Sequence, residues 1–415
     1  MKRRQQQPHA ILRIVWGSLV LAAVFVLSAT AIIPLAQSQT YTVLHSFKGG
    51  PQGAAPIAGL LRDDAGNFYG TTSQGGLFGT TGNSSQGLGI VFRLDATGGF
   101  RVLHVFTGAP DGAQPGNGSL IRDNAGNLYG TTSGGGEFGC GTVYKINPRT
   151  QVETVLYSFA GSNGSDGCNP SAGLAMDSQG NLYGSTSYGG NYGEGGTLFR
   201  LDPNGIETVL YVFSIGANPG SNLILDDAGN LYGTATRGGD YGCGTLFKLD
   251  PNGVMSILHS FACGSNRDGS APCGVLLKDA AGNLIGSTEK GGVYNYYGYG
   301  SIFEYQPDGA YSKLHVFFWQ RDPGYWPMNG VMEDKKGNLY GTTLIGGDRS
   351  KCYGQGCGSV FGLSPEGKVR TLHVFAEEDG GRSYSSLIQD ADGSLYGTAS
   401  IGGEYGYGVV FKITP

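Results

Sequence analysis

The sequence has little charge, and this shortage excludes several classes of protein. Only 14% of its 415 residues are charged, against about 25% in an ordinary soluble domain. With 27 basic and 32 acidic residues the net charge is −5, so there is no basic excess to attract nucleic acid. The HExxH, GxSxG and P-loop patterns are also missing, which removes the usual sequence signals of zinc proteases, serine hydrolases and phosphate-binding enzymes.

Glycine, by contrast, is in large excess. It supplies 76 residues, roughly 18% of the chain where about 7% is usual. Each interior glycine costs a helix about 0.5–1 kcal/mol relative to alanine, so the composition predicts strands and turns. The 24 tyrosines and 19 phenylalanines favour a packed core over disorder. The glycines do not fall at every third residue, which excludes collagen.

The N-terminal segment differs from the rest of the chain. Basic residues at positions 2–4 precede an apolar run at 14–36 and a polar stretch at 37–40, a pattern typical of an export signal. We expect residues 1–38 to be a signal peptide, or else an uncleaved anchor that provides the only membrane attachment. Residues 39–415 then form one exported domain, in an extracellular, cell-surface or periplasmic location.

Internal repeats organise that domain. Seven copies of a GNLYGTTxGG-like segment begin at Gly66, Gly126, Gly180, Gly229, Gly282, Gly337 and Gly393. Their spacing of 49 to 60 residues suits four short strands with turns. In the second unit we predict strands A to D at 119–123, 128–133, 142–146 and 153–159, because short alternating β-branched and aromatic stretches are separated there by turn residues.

One unit is divided between the two ends of the sequence. The last unit reaches strand C at 409–413, and its strand D is found at 41–47, where YTVLHSF matches the other D strands. A ring needs such closure and an open solenoid does not. The sequence therefore predicts an all-β, seven-bladed β-propeller of four-stranded antiparallel blades, with a solenoid or two stacked sandwiches as alternatives. The order of strands from axis to rim, and a C-D-A-B phase of each blade, stay open.

The repeat unit also resembles a known family. The pattern DxxGNLYGTTxGG, then GxGTVFKL and VLHSF, is similar to the GloVer tandem repeats of secreted bacterial proteins, over residues 41–415. The resemblance implies a repeat architecture and export. It implies no particular activity, because the family has no established biochemical function.

Loop chemistry separates the two faces of the predicted ring. The A–B turns are short and uniform, of the type DDAGN, where Asp caps the turn and Gly takes positive φ. We interpret the last, Asp390-Ala391-Asp392-Gly393, as the same turn and not as a calcium site. The B–C and D–A loops on the other face are longer and more variable, as binding loops usually are.

Two loops on that face break the repeat pattern with aromatic residues, at 292–299 and 318–326. Aromatic rings beside polar groups stack on sugars or cations, so these loops predict a glycan-binding patch, with a protein contact or simple loop packing as alternatives. The predicted binding residues are Tyr294, Tyr296, Tyr297, Tyr299, Trp319, Arg321, Tyr325, Trp326, Asp348 and Arg349.

Other repeated residues have a structural interpretation. The B–C loops carry an aromatic at a shared position, which we expect to pack: Phe78, Phe138, Tyr192, Tyr241, Tyr294 and Tyr405. Five strand-D histidines occupy a position held elsewhere by Tyr157 and Tyr211, which also favours packing: His45, His104, His259, His315 and His373. Spread over separate blades, they cannot converge on one metal ion, so we predict neither metal nor cofactor.

Seven cysteines in an exported chain predict disulfides with one thiol left over. Cys352–Cys357 is the best local pair, and Cys140–Cys168 joins loops of one face. Among Cys243, Cys263 and Cys273 the pairing is ambiguous, and we favour Cys263–Cys273 because they lie in one loop.

Two functional hypotheses follow. The first is an exported, non-catalytic, monomeric propeller that binds a glycan or a cell-surface protein through one face. The rival is a polysaccharide lyase or hydrolase with carboxylates at the axial mouth, for which Glu137, Glu194, Asp240 and Glu404 are the candidates.

Overall fold

The computed structural model describes residues 39–76, 87–161, 166–190, 195–214, 216–263, 268–292, 298–319 and 321–414. They form seven antiparallel sheets, each built on strands A-B-C-D, in chain order except in blade 7, whose strand D comes from the N-terminal side of blade 1. The chain is a seven-bladed β-propeller as predicted. The predicted signal segment, 1–38, lies outside the described residues. Within the described ranges no helix has the length and apolar character needed to cross a membrane.

The strands are short and regular from blade to blade. Strands A are Leu61–Arg62, Ile121–Arg122, Ala175–Met176, Ile224–Leu225, Ser270–Lys278, Met332–Glu333 and Ile388–Gln389. Strands B are Phe68–Thr72, Leu128–Gly135, Leu182–Thr186, Leu231–Ala235, Leu284–Lys290, Leu339–Thr343 and Leu395–Ala399. Strands C are Ile90–Leu94, Thr142–Asn147, Thr197–Leu201, Thr245–Leu249, Ser301–Tyr305, Ser359–Leu363 and Val409–Thr414. Strands D are Phe100–Val105, Val152–Ser158, Glu207–Val212, Met255–Ser260, Tyr311–Val316, Val369–Val374 and Thr40–Ser46.

Three further elements complete the described chain. A strand at Gly112–Pro115 pairs with strand B of blade 2, and two single 3₁₀ turns lie at Gly50–Gln52 and Cys352–Gly354. Helix is otherwise absent from the described ranges, which is consistent with the glycine content.

The ring closes through the divided blade. Strand D at Thr40–Ser46 pairs antiparallel with strand C at Val409–Thr414, with Tyr41 opposite Ile413 and Ser46 opposite Val409. Phe47, at the end of this strand, is completely buried. The closure predicted from the sequence is therefore confirmed.

Strand A is the innermost strand and strand D the outermost. Gly59, just before strand A of blade 1, lies so close to Ser119 of blade 2 and Ser386 of blade 7 that a Cβ would collide with both side chains. Hydrogen bonds also join neighbouring blades here, from Thr398 Oγ1 to Ala58 O (3.0 Å) and from Thr131 Oγ1 to Ala172 O (2.9 Å). Blades diverge outward, so three of them meet only near the axis. This fixes the order that the sequence left open.

Aromatic residues hold each blade against the next. The phenylalanine that ends the VLHSF motif packs edge-on against the strand-C aromatic of the following blade, as Phe159 does with Phe199 at 5.0 Å between centroids. Phe199 in turn occupies the space over Gly184 of strand B, where a Cβ would lie 2.5 Å from the ring. The repeated glycine of LYG thus leaves the space that the aromatic ring of the adjacent strand C occupies.

The A–B turns are held by their first aspartate. Asp123 Oδ1 accepts a hydrogen bond from Asn127 N (2.8 Å), and Oδ2 accepts from Asn127 Nδ2 (2.7 Å) and Tyr129 OH (2.9 Å). Asp390 is engaged in the same way, with Asp392 N, Ser394 N and Tyr396 OH as donors. These aspartates therefore act as turn caps, in agreement with the sequence prediction.

Three disulfides connect loops of the B–C and D–A face. Cys140–Cys168 and Cys352–Cys357 form as predicted, with Cα–Cα distances of 4.6 and 5.2 Å. The Cys263–Cys273 prediction is wrong, because Cys263 pairs with Cys243 (Cα–Cα 5.7 Å) and Cys273 is a free thiol. Proximity in sequence misled here: strand A of blade 5 begins at Ser270 and carries Cys273 away from the loop.

Candidate ligand-binding face

The two faces of the propeller differ in what they expose. In the described part of the chain, every exposed aromatic side chain belongs to a B–C or D–A loop: Phe138, Tyr188, Tyr241, Phe318, Trp319, Tyr353, Tyr405 and Tyr407. On the opposite face the exposed apolar residues are the aliphatic Val152, Ile206 and Val254. We call the first surface the loop face and the second the turn face.

The prediction that the shared B–C aromatics pack is wrong for the members that the structure describes. Phe138, Tyr241 and Tyr405 are 48%, 56% and 40% exposed, because each stands in a glycine-rich loop at the surface, outside the core between the blades. Phe78, Tyr192 and Tyr294 lie outside the described residues. The exposed rings add to the apolar surface of the loop face.

The densest aromatic cluster lies between blades 5 and 6, and we call it the aromatic patch: Tyr299, Phe318, Trp319, Arg321 and Arg349. Trp319 is 41% exposed, and its ring lies 5.8 Å from that of Tyr299. The Arg349 guanidinium is 3.7 Å from the Trp319 ring centroid, and its Nη2 donates to Trp319 O at 2.7 Å. Arg321 lies over Phe318 at 5.4 Å. Together these groups present rings and cations on one surface.

The patch includes a shallow cleft of about 390 Å³, lined by Tyr299, Phe318, Trp319 and Arg321. Because the two guanidinium groups stack on rings, the π faces are held in fixed orientations and the cations stay beside them. Such a surface can stack on an apolar face of a ligand while the cations donate hydrogen bonds to its polar edge.

An aspartate sets the conformation of the loop that carries Phe318 and Trp319. Asp322 Oδ2 accepts from Phe318 N at 2.7 Å, and Oδ1 lies 3.1 Å from His315 Nε2 on strand D. Asp322 N and Arg321 N both donate to Phe318 O, at 3.2 and 3.3 Å. The loop is therefore tied to strand D at its base and presents its aromatic side chains outward.

Only some of the predicted binding residues lie in the aromatic patch. Tyr299, Trp319, Arg321 and Arg349 come together in the patch. Tyr325 is only 4% exposed and lies beneath Trp319, at 5.6 Å between centroids; its burial raises the pKa of its hydroxyl, with Arg349 acting in the opposite direction. Asp348 caps its own loop by accepting from Ser350 N and Oγ, at 2.9 and 2.7 Å.

Of the two tryptophans in the predicted binding set, only Trp319 is exposed. Trp326 is half-buried and packs on the core between blades 5 and 6. Tyr294, Tyr296 and Tyr297 lie outside the described residues. Phe318 was missing from the predicted set, although its place beside Trp319 in the loop that breaks the repeat was a usable signal.

The strand-D histidines have a role that sequence reasoning missed. His104 Nε2 lies 3.1 Å from Asp111 and His259 Nε2 lies 3.0 Å from Asp268, and each Asp belongs to the DG motif of the following D–A loop. Tyr157 OH makes the equivalent bond to Asp166 at 2.8 Å. Histidine and tyrosine interchange because both can donate to this aspartate. The joint occurrence of the histidine or tyrosine with the DG motif was the available signal.

The carboxylates proposed for catalysis do not meet at the axial mouth. The backbone N–H groups of Glu137, Asp240 and Glu404 donate to Ser158, Ser260 and Ser46, and all three serines belong to outermost strands. The prediction was wrong because the B–C loop folds outward over strand D. Glu194 lies outside the described residues.

Among the described residues two groups of side chains have the spacing of metal ligands, but one of them includes the disulfide Cys352–Cys357. His104, Asp111 and Glu153 place their ligand atoms within 4.8 Å of one another. However, Asp111 already accepts hydrogen bonds from Thr107 N (2.9 Å) and Gly112 N (2.6 Å) in addition to its contact with His104. Its geometry is that of a loop cap repeated in other blades, and we assign it no metal.

The chain belongs to the family of the Gloeobacter/Verrucomicrobia repeat, which matches residues 29–227 and 218–415. No curated protein matches it. The family assignment confirms the resemblance drawn from the repeat sequence.

Solved structures share the fold at low sequence identity. A streptogramin B lyase is 13% identical, with a TM-score of 0.58, over 91% of this chain and 97% of that one. An oligogalacturonate lyase from Vibrio parahaemolyticus is 10% identical, with a TM-score of 0.53, over 91% and 97%. The extracellular domain of a hybrid two-component system from B. thetaiotaomicron is 14% identical, with a TM-score of 0.53, over 91% and 41%. At these identities the likeness shows the propeller fold alone.

Proposed function

We propose that this protein is an exported, non-catalytic propeller that binds carbohydrate through the aromatic patch of its loop face. The observation that carries the proposal is the segregation of exposed aromatic side chains to that face, with Trp319 at the centre of the densest cluster. Three disulfides are typical of an exported protein.

Carbohydrate suits this surface better than a flat protein contact. Trp319, Phe318 and Tyr299 form a concave cleft with cations at its edge, and a sugar ring offers both an apolar face for stacking and hydroxyl groups for the guanidinium donors. The rings are few and framed by loops, whereas stable protein interfaces need a larger continuous area.

Binding to a glycan array, followed by titration of the best ligand, tests the proposal. We expect Trp319→Ala to weaken binding ~10-fold or more, since a central aromatic anchor carries much of the energy of such a site. Val254→Ala is the matched control, because Val254 is also exposed and apolar but lies on the turn face. Equal affinity of the wild type and Trp319→Ala would refute the role of the patch.

The same ligands distinguish binding from catalysis. A lyase or hydrolase would release products from a bound polysaccharide, and Glu137→Gln or Asp240→Asn would abolish that release. Product formation that depends on either carboxylate would replace our proposal with the enzyme.

A further inference from the structure

The clearest unassigned feature of the loop face is a ring of residues in the left-handed conformation. Of the eleven non-glycine residues with positive φ in the described chain, seven occupy one repeat position, one in each blade, with φ between 51° and 61°: Ala55, Gln114, Asn169, Asn218, Ala271, Trp326 and Arg382. We call these the axial ring. Such backbone is uncommon outside glycine and persists where the surroundings fix it.

Hydrogen bonds between blades fix this conformation. Asn169 N donates to Cys140 O of the preceding blade at 2.8 Å, and Asn169 O accepts from Ser187 N of its own strand-B end at 3.0 Å. Trp326 is held in the same way, by Tyr299 O at 3.0 Å and Leu344 N at 3.1 Å. The backbone is therefore used for joining blades, which leaves the side chain free to vary, and five residue types occupy the seven positions.

Five of the seven ring residues line two connected cavities around the axial mouth, of about 410 and 380 Å³. Gln114, Asn169 and Asn218 line the first, and Ala55 and Arg382 the second. Both cavities contain the same four residues, Ile57, Ser73, Gln74 and Asn117, so the space is continuous across five blades. It includes none of the residues that line the cleft of the aromatic patch.

The chemistry of this space is amide and hydroxyl, without acid. No lining residue of either cavity is acidic, and Arg382 is the one charged side chain among them, in a chain with 32 acidic residues. Amides and hydroxyls both donate and accept, so they match ligand hydroxyl groups, whereas a cationic ligand would meet no counter-charge.

Two of the ring members that line these cavities carry buried polar atoms without a hydrogen-bond partner among the described residues: Asn169 Oδ1 and Arg382 Nε. Buried polar atoms in native proteins are nearly always paired. Because both residues line the same polar space, small side-chain rotations would bring these atoms to a polar ligand held there.

We propose that the axial ring is a second binding site, which takes an uncharged oligosaccharide and orients its hydroxyl groups on the amides of Gln114, Asn169 and Asn218. The site is separate from the aromatic patch, and the proposal does not depend on the proposed function of that patch. The tyrosines Tyr188 and Tyr384, which line the same cavities, provide ring surfaces for its sugar units.

The structure supplies conservative variants for the test. Alanine already occupies the axial ring in two blades, as Ala55 and Ala271, with φ of 53° and 52°. The triple change Gln114→Ala, Asn169→Ala and Asn218→Ala therefore places in three blades a residue that the same backbone accepts elsewhere. Thermal unfolding and circular dichroism establish that the variant is folded.

Isothermal titration calorimetry measures the affinity of the axial site. The ligands are cellohexaose, maltohexaose, xylohexaose and chitohexaose, each at millimolar concentration. The starting protein is Trp319→Ala, in which the patch is disabled. We expect one of the four sugars to bind it saturably, and the triple change in that background to lower the affinity ~10-fold or more. Failure of all four sugars to bind Trp319→Ala, or binding that the triple change leaves intact, overturns the axial site.

The two proposals fail separately. For this comparison the triple change is also made in the wild-type protein. Binding that is lost in Trp319→Ala but kept in this triple variant supports the patch and overturns the axial site. Binding lost only in the triple variant supports the axial site and refutes the patch.

Discussion

The turn face and the loop face are built from the same seven repeats, but the turn face directs its polar groups into its own turns, whereas the loop face exposes aromatic side chains to solvent. On the turn face Asp123 and its equivalents direct both carboxylate oxygens into their own turns. On the loop face Phe318 and Trp319 are exposed in a loop that breaks the repeat. Repetition therefore marks what the fold needs, and departure from the repeat marks where a ligand is expected.

The loop face also needs covalent support that the turn face does without. All three disulfides lie in the loops of this face: two join a B–C loop to a D–A loop, and Cys352–Cys357 closes a single B–C loop. The chain between strands is long and glycine-rich there. A tight turn is fixed by one aspartate, but a long loop gains little from the sheet, and a disulfide limits its freedom in the unfolded chain.

The largest expected effect breaks this support. Cys140→Ser with Cys168→Ser opens a bridge that spans 28 residues and should cost about 3–4 kcal/mol of unfolding free energy, since the loss grows with the closed loop. Cys352→Ser with Cys357→Ser, which spans 5 residues, is the matched pair and should cost about 2 kcal/mol. Urea unfolding measures both. Equal losses would show that loop closure is not the reason for these bridges.

The next effect concerns the turn face. Asp123→Ala leaves Asn127 and Tyr129 without their acceptor and should cost about 2 kcal/mol, with no effect on glycan binding. Asp64→Ala is the control, because Asp64 is fully exposed and makes one distant contact, 3.8 Å from Arg122; it should change stability by less than about 0.5 kcal/mol.

The pH dependence of that cap follows from the same hydrogen bonds. Burial opposes ionisation of Asp123, but bonds from Asn127 and Tyr129 outweigh it and lower the pKa below its usual value. The stabilisation is therefore present above the unfolded pKa and is lost as pH falls through the lower folded pKa. Wild-type urea midpoints should converge on those of Asp123→Ala in strong acid, and a constant difference between them would contradict the role of the carboxylate.

The smallest effect tests the boundary between blades 2 and 3. Burial, and secondarily the charge of Asp166 in the D–A loop, raise the pKa of Glu207 to about 7. A raised carboxyl pKa means that ionisation opposes folding, so stability falls as pH rises from about 4.5 to about 7. Glu207→Gln should remove this slope and add about 1 kcal/mol at mildly alkaline pH, after allowance for its partial exposure.

Thermal unfolding of Glu207→Gln and wild type across that pH range gives the comparison. An unchanged slope would show that another group titrates there. Glu153→Gln is the equivalent change one blade earlier, where burial and Asp111 also raise the pKa, and it should act in the same direction.

Much of the fold could be predicted, because the strand and turn pattern occurs seven times in the sequence and an ambiguous unit can be read from the other six. The four strands per unit, the ring closure through 41–47 and the turn role of Asp390 followed from that pattern. The site was harder. Tyr325 and Trp326 belong to the loop that breaks the repeat as Trp319 does, but which of them points outward depends on packing between blades 5 and 6. No pattern of one loop contains that information.

By itself, the sequence determined the architecture: four short strands per unit, seven units, and a terminal strand that completes the last blade. Tertiary structure alone decided that strand A lines the axis, that Cys243 pairs with Cys263, and that five residues scattered through the chain line one connected space at the axial mouth. The physical reason is the distance along the sequence over which each interaction acts. Turns and strands depend on neighbours a few residues apart, whereas the axial mouth, the disulfides and the aromatic patch form between side chains that meet only when the blades are packed together.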